Sequence, residues 1–217
     1  MWTPPRLYAI LDVDVVQTRG VAPLDVFRIW LDAGVRLIQL RAKTMASGAM
    51  VELAVALVAQ AQPAGATVII NDRADVARLS GAHGVHVGQG DLSPDDVRRV
   101  VGPDALVGLS THTTTQVAEA VTQPVSYIAV GPVFGTRTKD TGYEAVGLDL
   151  VRLASGHARA AGLPLVAIGG ITRATAQDVI AAGADSLAVI SDLYPSGEGA
   201  TGIRKRTEEW LQLLAAI

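Results

Sequence analysis

No cysteine occurs among the 217 residues, which excludes disulfides, a thiolate nucleophile and cysteine metal sites. Aromatic side chains make up only 4 % while hydrophobic residues reach 49 %, and the abundance of Ala, Val, Leu and Gly suits helices packed closely on buried parallel strands. No basic block with interleaved aromatics is present and the formal net charge is -3, so a nucleic-acid partner is not expected. No stretch has the composition of a linker, and residues 1–217 read as one domain. The first apolar run, Leu7 to Leu11, is short and meets Asp12 and Asp14. It is not a signal-peptide core, and a cytoplasmic location is the expectation. The longest uncharged stretch, Leu53 to Asn71, is broken by Gln60, Gln62, Pro63 and Gly65. It reads as helix, turn and strand, with no membrane span.

What the chain does have is a series of short β-type runs, at Leu7–Val13, Arg36–Leu40, Thr67–Ile70, Gly84–Val87, Ala105–Leu109, Tyr127–Val130, Pro164–Ile168 and Ser186–Ile190. Helically spaced apolar residues separate them, at Pro23–Ala33, Ser47–Ala61, Ala74–Leu79, Ser93–Val101, Thr113–Val121, Leu148–Ala161 and Thr172–Ala182, and a last helix covers about Arg204–Ala216. Ser93, with Pro94 behind it, is an expected helix N-cap. The repeated Asp32-Ala-Gly, Ser80-Gly-Ala and Ala182-Gly-Ala place glycines where helices end. Eight strand-helix units predict a (β/α)8 barrel, with a doubly wound open sheet as the alternative.

In such a barrel every strand ends at one rim, where enzyme sites are built. The runs end in Gln39-Leu-Arg-Ala-Lys43, Ile70-Asn-Asp-Arg73, Val87-Gly-Gln-Gly-Asp91, Gly108-Leu-Ser-Thr-His112, Gly131-Pro-Val-Phe-Gly-Thr-Arg-Thr-Lys139 and Ile168-Gly-Gly-Ile171. Asp72 and Asp91 follow neighbouring strands, and a carboxylate pair there suits magnesium, which takes oxygen ligands and bridges to phosphates. Alternatively Asp72 caps the next helix and Asp91 only turns the chain. Arg41 and Lys43 need counter-ions, an anionic ligand or water. Lys139 lies in a hydroxyl-rich cationic loop that suits a leaving phosphate, though a generic exposed loop has the same composition. Gly169 and Gly170, with a helix start behind them and the eighth strand end at Ile190 and Ser191 beside them, form an expected phosphate site or a tight turn. His112 is placed at the rim, His86 inside the barrel, and His83 and His157 on the surface.

Taken in order, Gln39-Leu-Arg-Ala-Lys43, Asn71-Asp-Arg-Ala-Asp75, Gly84-Val-His-Val-Gly-Gln-Gly-Asp91, Gly131 to Lys139 and Ala167-Ile-Gly-Gly-Ile171 resemble the thiamine phosphate synthase family. The resemblance runs from about Leu7 to Ser191. It implies a barrel that joins 4-amino-2-methyl-5-hydroxymethylpyrimidine diphosphate to 4-methyl-5-(2-hydroxyethyl)thiazole phosphate, or its carboxylated form, releasing pyrophosphate by a dissociative substitution. By matching motif it implies Gln39, Arg41, Lys43, Asn71 and Lys139 on the pyrimidine diphosphate, and Asp72 and Asp91 on magnesium. Ser110 would lie close to the reacting centre, with Lys139 and Arg41 as its catalytic companions. Thr136, Thr138, Gly170, Ile190 and Ser191 would take the thiazole phosphate, and the resemblance also allows a homodimer. This chain has Gly135 where relatives often have proline and Ala42 where an acidic residue is common.

Two other activities fit parts of the pattern. A thiazole tautomerase on a similar barrel would use His112 to move a proton, but it has no diphosphate for Asn71, Asp72, Asp91 and Lys139 to bind. A non-catalytic barrel that binds a thiazole phosphate would keep the Gly169-Gly170 site and lose the diphosphate residues, and here both sets are present.

Overall fold

A computed structural model of the chain describes residues 2–135 and 144–217. The strands are β1 Leu7–Asp12, β2 Leu37–Arg41, β3 Thr67–Asn71, β4 Gly84–Val87, β5 Leu106–Thr111, β6 Tyr127–Val130, β7 Leu165–Ile168 and β8 Ser186–Val189. They pair in parallel in sequence order, and β8 pairs with β1 to close the barrel. The helices between them are α1 Val13–Thr18, α2 Pro23–Ala33, α3 Ser47–Ala61, α4 Ala74–Ser80, α5 Pro94–Val101, α6 Thr114–Ala120, α7 Gly147–Ala161 and α8 Ala176–Ala181, and α9 Gly199–Ala216 ends the chain. The expected (β/α)8 barrel is therefore the observed fold.

Strand side chains alternate between two cores. Leu7, Ala9, Leu11, Ile38 and Leu40 point outward and pack under the helices with Phe27, Trp30 and Leu57. Tyr8, Ile10, Leu37, Ile69, Tyr127, Ala129, Val166 and Ala188 point inward and fill the barrel. Toward the strand ends the inward positions become polar, at Gln39, Asn71, His86 and Ser110, all buried.

Helix ends follow the sequence signals where those signals are local. Ser93 Oγ accepts the Asp96 N–H at 3.2 Å with Pro94 in the first turn. Gly34, Gly81 and Gly183 all have positive φ, as helix-ending glycines do.

Most boundaries shift by a residue or two, and three of the differences have an identifiable cause. β1 stops at Asp12, because the Asp12 carboxylate accepts the Val15 N–H at 3.2 Å and starts α1. The eighth helix begins at Ala176 and not at Thr172, because Thr172 N–H donates to Thr175 Oγ1 at 3.0 Å and fixes a turn there. The last helix begins at Gly199, five residues early, through a glycine-containing segment in which Gly202 is buried. Among the described residues no helix is long and apolar enough to cross a membrane.

Candidate active site

The barrel mouth opens into one pocket of about 840 Å³, its open entrance included. One wall, from β1 to β5, is polar and presents Tyr8, Gln39, Arg41, Asn71, His86, Ser110 and His112. The facing wall, from β6 to β8, is apolar and glycine-rich and presents Pro132, Ile168, Gly169, Gly170, Ile190 and Ser191. Of the expected site residues, Gln39, Arg41, Asn71, Ser110, Gly170, Ile190 and Ser191 thus meet around one cavity. Lys43 and Asp72 line a smaller cavity with Ala42, Met45 and Met50, which shares Asn71 with the main pocket. Lys139, Thr136 and Thr138 lie outside the described residues.

Arg41 reaches the pocket already paired. Its Nη1 donates to Asp12 Oδ2 at 2.6 Å, and register sets this up, since Asp12 and Arg41 are opposite each other across β1 and β2. Asp12 is 1 % exposed and Arg41 14 %, so the pair is buried and hydrogen-bonded, the condition under which an ion pair holds its geometry. Arg41 Nε is buried without a hydrogen-bond partner. It is a donor at the cavity wall that an anionic ligand can satisfy.

Asp72 has φ 62, a left-handed conformation rare outside glycine, asparagine and aspartate. This turn carries its carboxylate away from α4, which begins with Arg73 as N-cap and no side-chain cap. The capping alternative for Asp72 is therefore excluded. The Lys43 ammonium pairs with Asp72 Oδ2. Asp91 both turns the chain and joins the site: its Oδ2 accepts the Gly88 N–H at 2.8 Å. Burial, and then the neighbouring Asp72 carboxylate, push the Asp91 carboxyl above its ordinary range, while the Gly88 N–H and Lys43 oppose the shift. Two carboxylates close enough to repel one another fit a hard divalent cation. No group of three or more acidic or histidine side chains that could hold a metal occurs among the described residues. A cation here would complete its shell with water and ligand phosphate, as magnesium does.

A buried hydrogen-bond chain crosses the barrel beneath the pocket. Gln39 Nε2 donates to Tyr8 OH at 2.9 Å, Tyr8 OH meets Tyr127 OH at 3.0 Å, Tyr127 OH meets His86 Nδ1 at 3.0 Å, and His86 Nε2 meets Ser110 Oγ at 2.8 Å. The expected interior position of His86 is correct, whereas Tyr8 and Tyr127 were not anticipated. Burial raises both phenol pKa values well above the ordinary one, so both stay neutral and act as relays of hydrogen-bond direction. Gly108 makes room for this chain. A Cβ there would collide with the Tyr127 ring and hydroxyl and stand 2.5 Å from His86 Nδ1. Replacing Tyr127 by phenylalanine removes the link common to Tyr8 and His86, and should cost about 1–3 kcal/mol of stability. Thermal denaturation tests this, and a midpoint equal to that of the parent would show that the chain adds nothing.

His112 lies in the pocket wall as expected, with Nδ1 held by the Gly131 carbonyl at 2.5 Å. His83 is exposed, but its Nδ1 accepts the Val68 N–H at 3.1 Å, so it also secures a strand end.

The double glycine is explained by backbone contact. Gly169 and Gly170 have φ 101 and 64, and an added Cβ would stand 2.5 Å from Pro132 Cα and 2.7 Å from the Gly135 carbonyl respectively. The loop after β6 is zipped onto the tip of β7 by Val133 N–H to Ile168 O at 2.9 Å and Phe134 N–H to Gly169 O at 3.0 Å. The helix expected directly behind these glycines is not there. The turn at Thr172–Thr175 intervenes, and α8 is only six residues long. Any anion at this wall would be met by loop backbone and by the 3-10 turn Ser191–Leu193, with no help from an α-helix end.

Comparisons with known proteins bear on the family and the fold. Residues 7–193 match the family described as thiamine monophosphate synthase. The chain is 45 % identical over 212 residues to a thiamine-phosphate synthase of Koribacter versatilis, covering 97 % of this chain and 96 % of that protein. It is 40 % identical to a thiamine-phosphate synthase of Roseiflexus castenholzii, over 90 % of this chain and 84 % of that one. Among solved structures, thiamine phosphate pyrophosphorylase from Pyrococcus furiosus superposes with a TM-score of 0.83 at 28 % identity, covering 97 % and 96 % of the two chains. The chain belongs to the thiamine monophosphate synthase family.

Proposed function

We propose that the chain is a transferase that joins the pyrimidine diphosphate to the thiazole phosphate, or its carboxylated form, giving thiamine phosphate and pyrophosphate. The observation that carries this reading is the division of the pocket. A cationic and hydrogen-bonding wall with a carboxylate pair at its edge faces an apolar wall of glycine backbone. The first suits a group that must leave with growing negative charge, and the second a group that need only be positioned.

In this reading Gln39, Arg41, Lys43 and Asn71 hold the pyrimidine diphosphate, together with Lys139 by family resemblance. Gly170, Ile190 and Ser191, with Thr136 and Thr138 by resemblance, hold the thiazole phosphate. Asp72 and Asp91 would hold magnesium, which when bound neutralises pyrophosphate charge. Arg41, fixed by Asp12, presents its guanidinium to the departing pyrophosphate without having to reorganise, and such preorganised charge favours the transition state over the ground state. Ser110, fixed by His86, offers its hydroxyl at the reacting centre. The pyrimidine methylene cation left behind is captured by the thiazole nitrogen, and the apolar lining at Ile168 and Ile190 keeps water from competing. A tautomerase reading would leave Asn71, Asp72 and Asp91 without a task. A cytoplasmic location and a homodimer complete the reading, the latter tested by sedimentation.

Incubation of the protein with both substrates and magnesium, followed by detection of thiamine phosphate and pyrophosphate, tests the activity. Absence of both products would overturn it. Turnover should also stop on complete chelation and return on adding magnesium, and full turnover in the chelator would remove the metal from the assignment.

A further inference from the structure

Behind the glycine-rich wall, outside the pocket, four charged side chains tie its two loops together. Asp192 follows Ser191 in the 3-10 turn after β8, and Arg173 lies three residues beyond Gly170 in the loop after β7. Asp192 Oδ2 accepts the Trp210 indole N–H at 2.7 Å and faces Arg173 Nε at 3.6 Å. Its Oδ1 accepts from Arg206 Nη1 at 3.2 Å, and the same Nη1 donates to the Asp192 main-chain carbonyl at 3.0 Å. Glu209 closes the ring, pairing with Arg173 on one side and with Arg206 Nε at 3.3 Å on the other. Arg206, Glu209 and Trp210 all belong to α9, so one helix clamps the tips of both strands.

The charge balance of this cluster has a chemical consequence. A carboxylate one residue from Ser191 would repel a phosphate placed against that backbone, but two guanidiniums set against Asp192 and Glu209 leave the cluster with no net charge and cancel that field. Arg206 Nη1 also fixes the peptide carbonyl of Asp192 while Nε faces Glu209, so the cluster sets backbone as well as charge. None of the four side chains lines the pocket.

We propose that Asp192, Arg173, Arg206 and Glu209 are positioning residues that hold the β7 and β8 tips at the spacing required by the phosphorylated acceptor, and so set affinity for that substrate alone. The proposal rests on the assignment of Gly170, Ile190 and Ser191 to the thiazole phosphate. α9 remains anchored without the cluster through buried Ile203, Trp210 and Leu214, so variants at its charged positions should fold.

The test is calorimetric binding of each substrate separately to the whole chain, which does not depend on turnover. Arg206→Met should weaken thiazole phosphate binding about tenfold, the scale of a small misplacement of binding groups, and leave pyrimidine diphosphate binding within about twofold. Glu209→Gln, isosteric and half-exposed, leaves the cluster with a net positive charge that by itself favours a phosphate, so the weaker thiazole phosphate binding expected here comes from lost positioning and not from charge, and tighter binding would overturn the positioning role; Arg206→Lys, which keeps the charge but not the fork, should recover part of the loss. Unchanged thiazole phosphate affinity in Arg206→Met, or equal weakening of both substrates, would overturn the positioning role. A parent protein that binds the thiazole phosphate but makes no thiamine phosphate would instead count against the proposed activity, with the positioning role still decided by the variants.

Discussion

Replacing Arg41 by methionine should lower the thermal midpoint by roughly 6–20 °C, because breaking a buried ion pair from one side costs about 3–5 kcal/mol and each kcal/mol moves a chain of this size by about 2–4 °C. The cost comes from Asp12, which is 1 % exposed and would be left without its guanidinium. The lower half of the range is expected, since Asp12 keeps the Val15 N–H as a partner. Turnover should fall by about 10²–10³, the effect of removing one preorganised electrostatic donor. The two effects can be separated with Asp12→Asn in the same chain. The double variant holds no buried charge and keeps the helix cap, so stability should return while turnover does not. If turnover returns with stability, Arg41 acts only as a structural partner of Asp12.

That pair also marks the limit of what the sequence discloses. Arg41 was legible as a cation in need of a partner, because it stands at the end of an apolar run where neither water nor core alone explains it. Asp12 was not legible as the partner, since the match depends on the register between β1 and β2. The same limit applies to the buried chain from Gln39 to Ser110. A period of two already places Tyr8 with Ile10, Gln39 with Arg41, Gly108 with Ser110 and Tyr127 with Ala129 on one face of each strand, but only barrel closure brings those faces together.

Signals confined to a few neighbouring residues were the most readable. The strand runs, the Ser93 cap and the helix-ending glycines each record a local backbone preference. Glycine was ambiguous wherever its reason was remote. Gly169 and Gly170 read as a phosphate cradle with a tight turn as the alternative, and the contacts that require glycine there come from Pro132 and Gly135 on another loop. In α9 the glycines at 199 and 202 hid the first turns of a helix whose buried face supplies its stability. Ala42 is 7 % exposed beside the Lys43 cavity, so its small size suits a packed position here.

Asp91→Asn should make the metal-free protein more stable and the enzyme at least about a hundredfold slower, the loss expected when a preorganised charge at the reaction centre is removed. Both effects arise from one geometry. The asparagine carbonyl can still accept the Gly88 N–H, so the loop is retained, while the cost of partly burying a charge and, after it, the repulsion from Asp72 disappear. The sign follows from the direction of the shift. A carboxyl whose folded pKa is raised loses stabilising influence as pH rises from the ordinary carboxylate range through the raised value. The melting difference between variant and parent should therefore be small in acid, where Asp91 is protonated in both states, and open toward neutral pH. Excess magnesium should reverse the order, because binding to the folded parent stabilises it by mass action and the variant has lost a ligand. A variant that melts below the metal-free parent at neutral pH would refute a cost from the buried and repelled Asp91 charge. One that keeps magnesium-dependent turnover would move the metal away from Asp91.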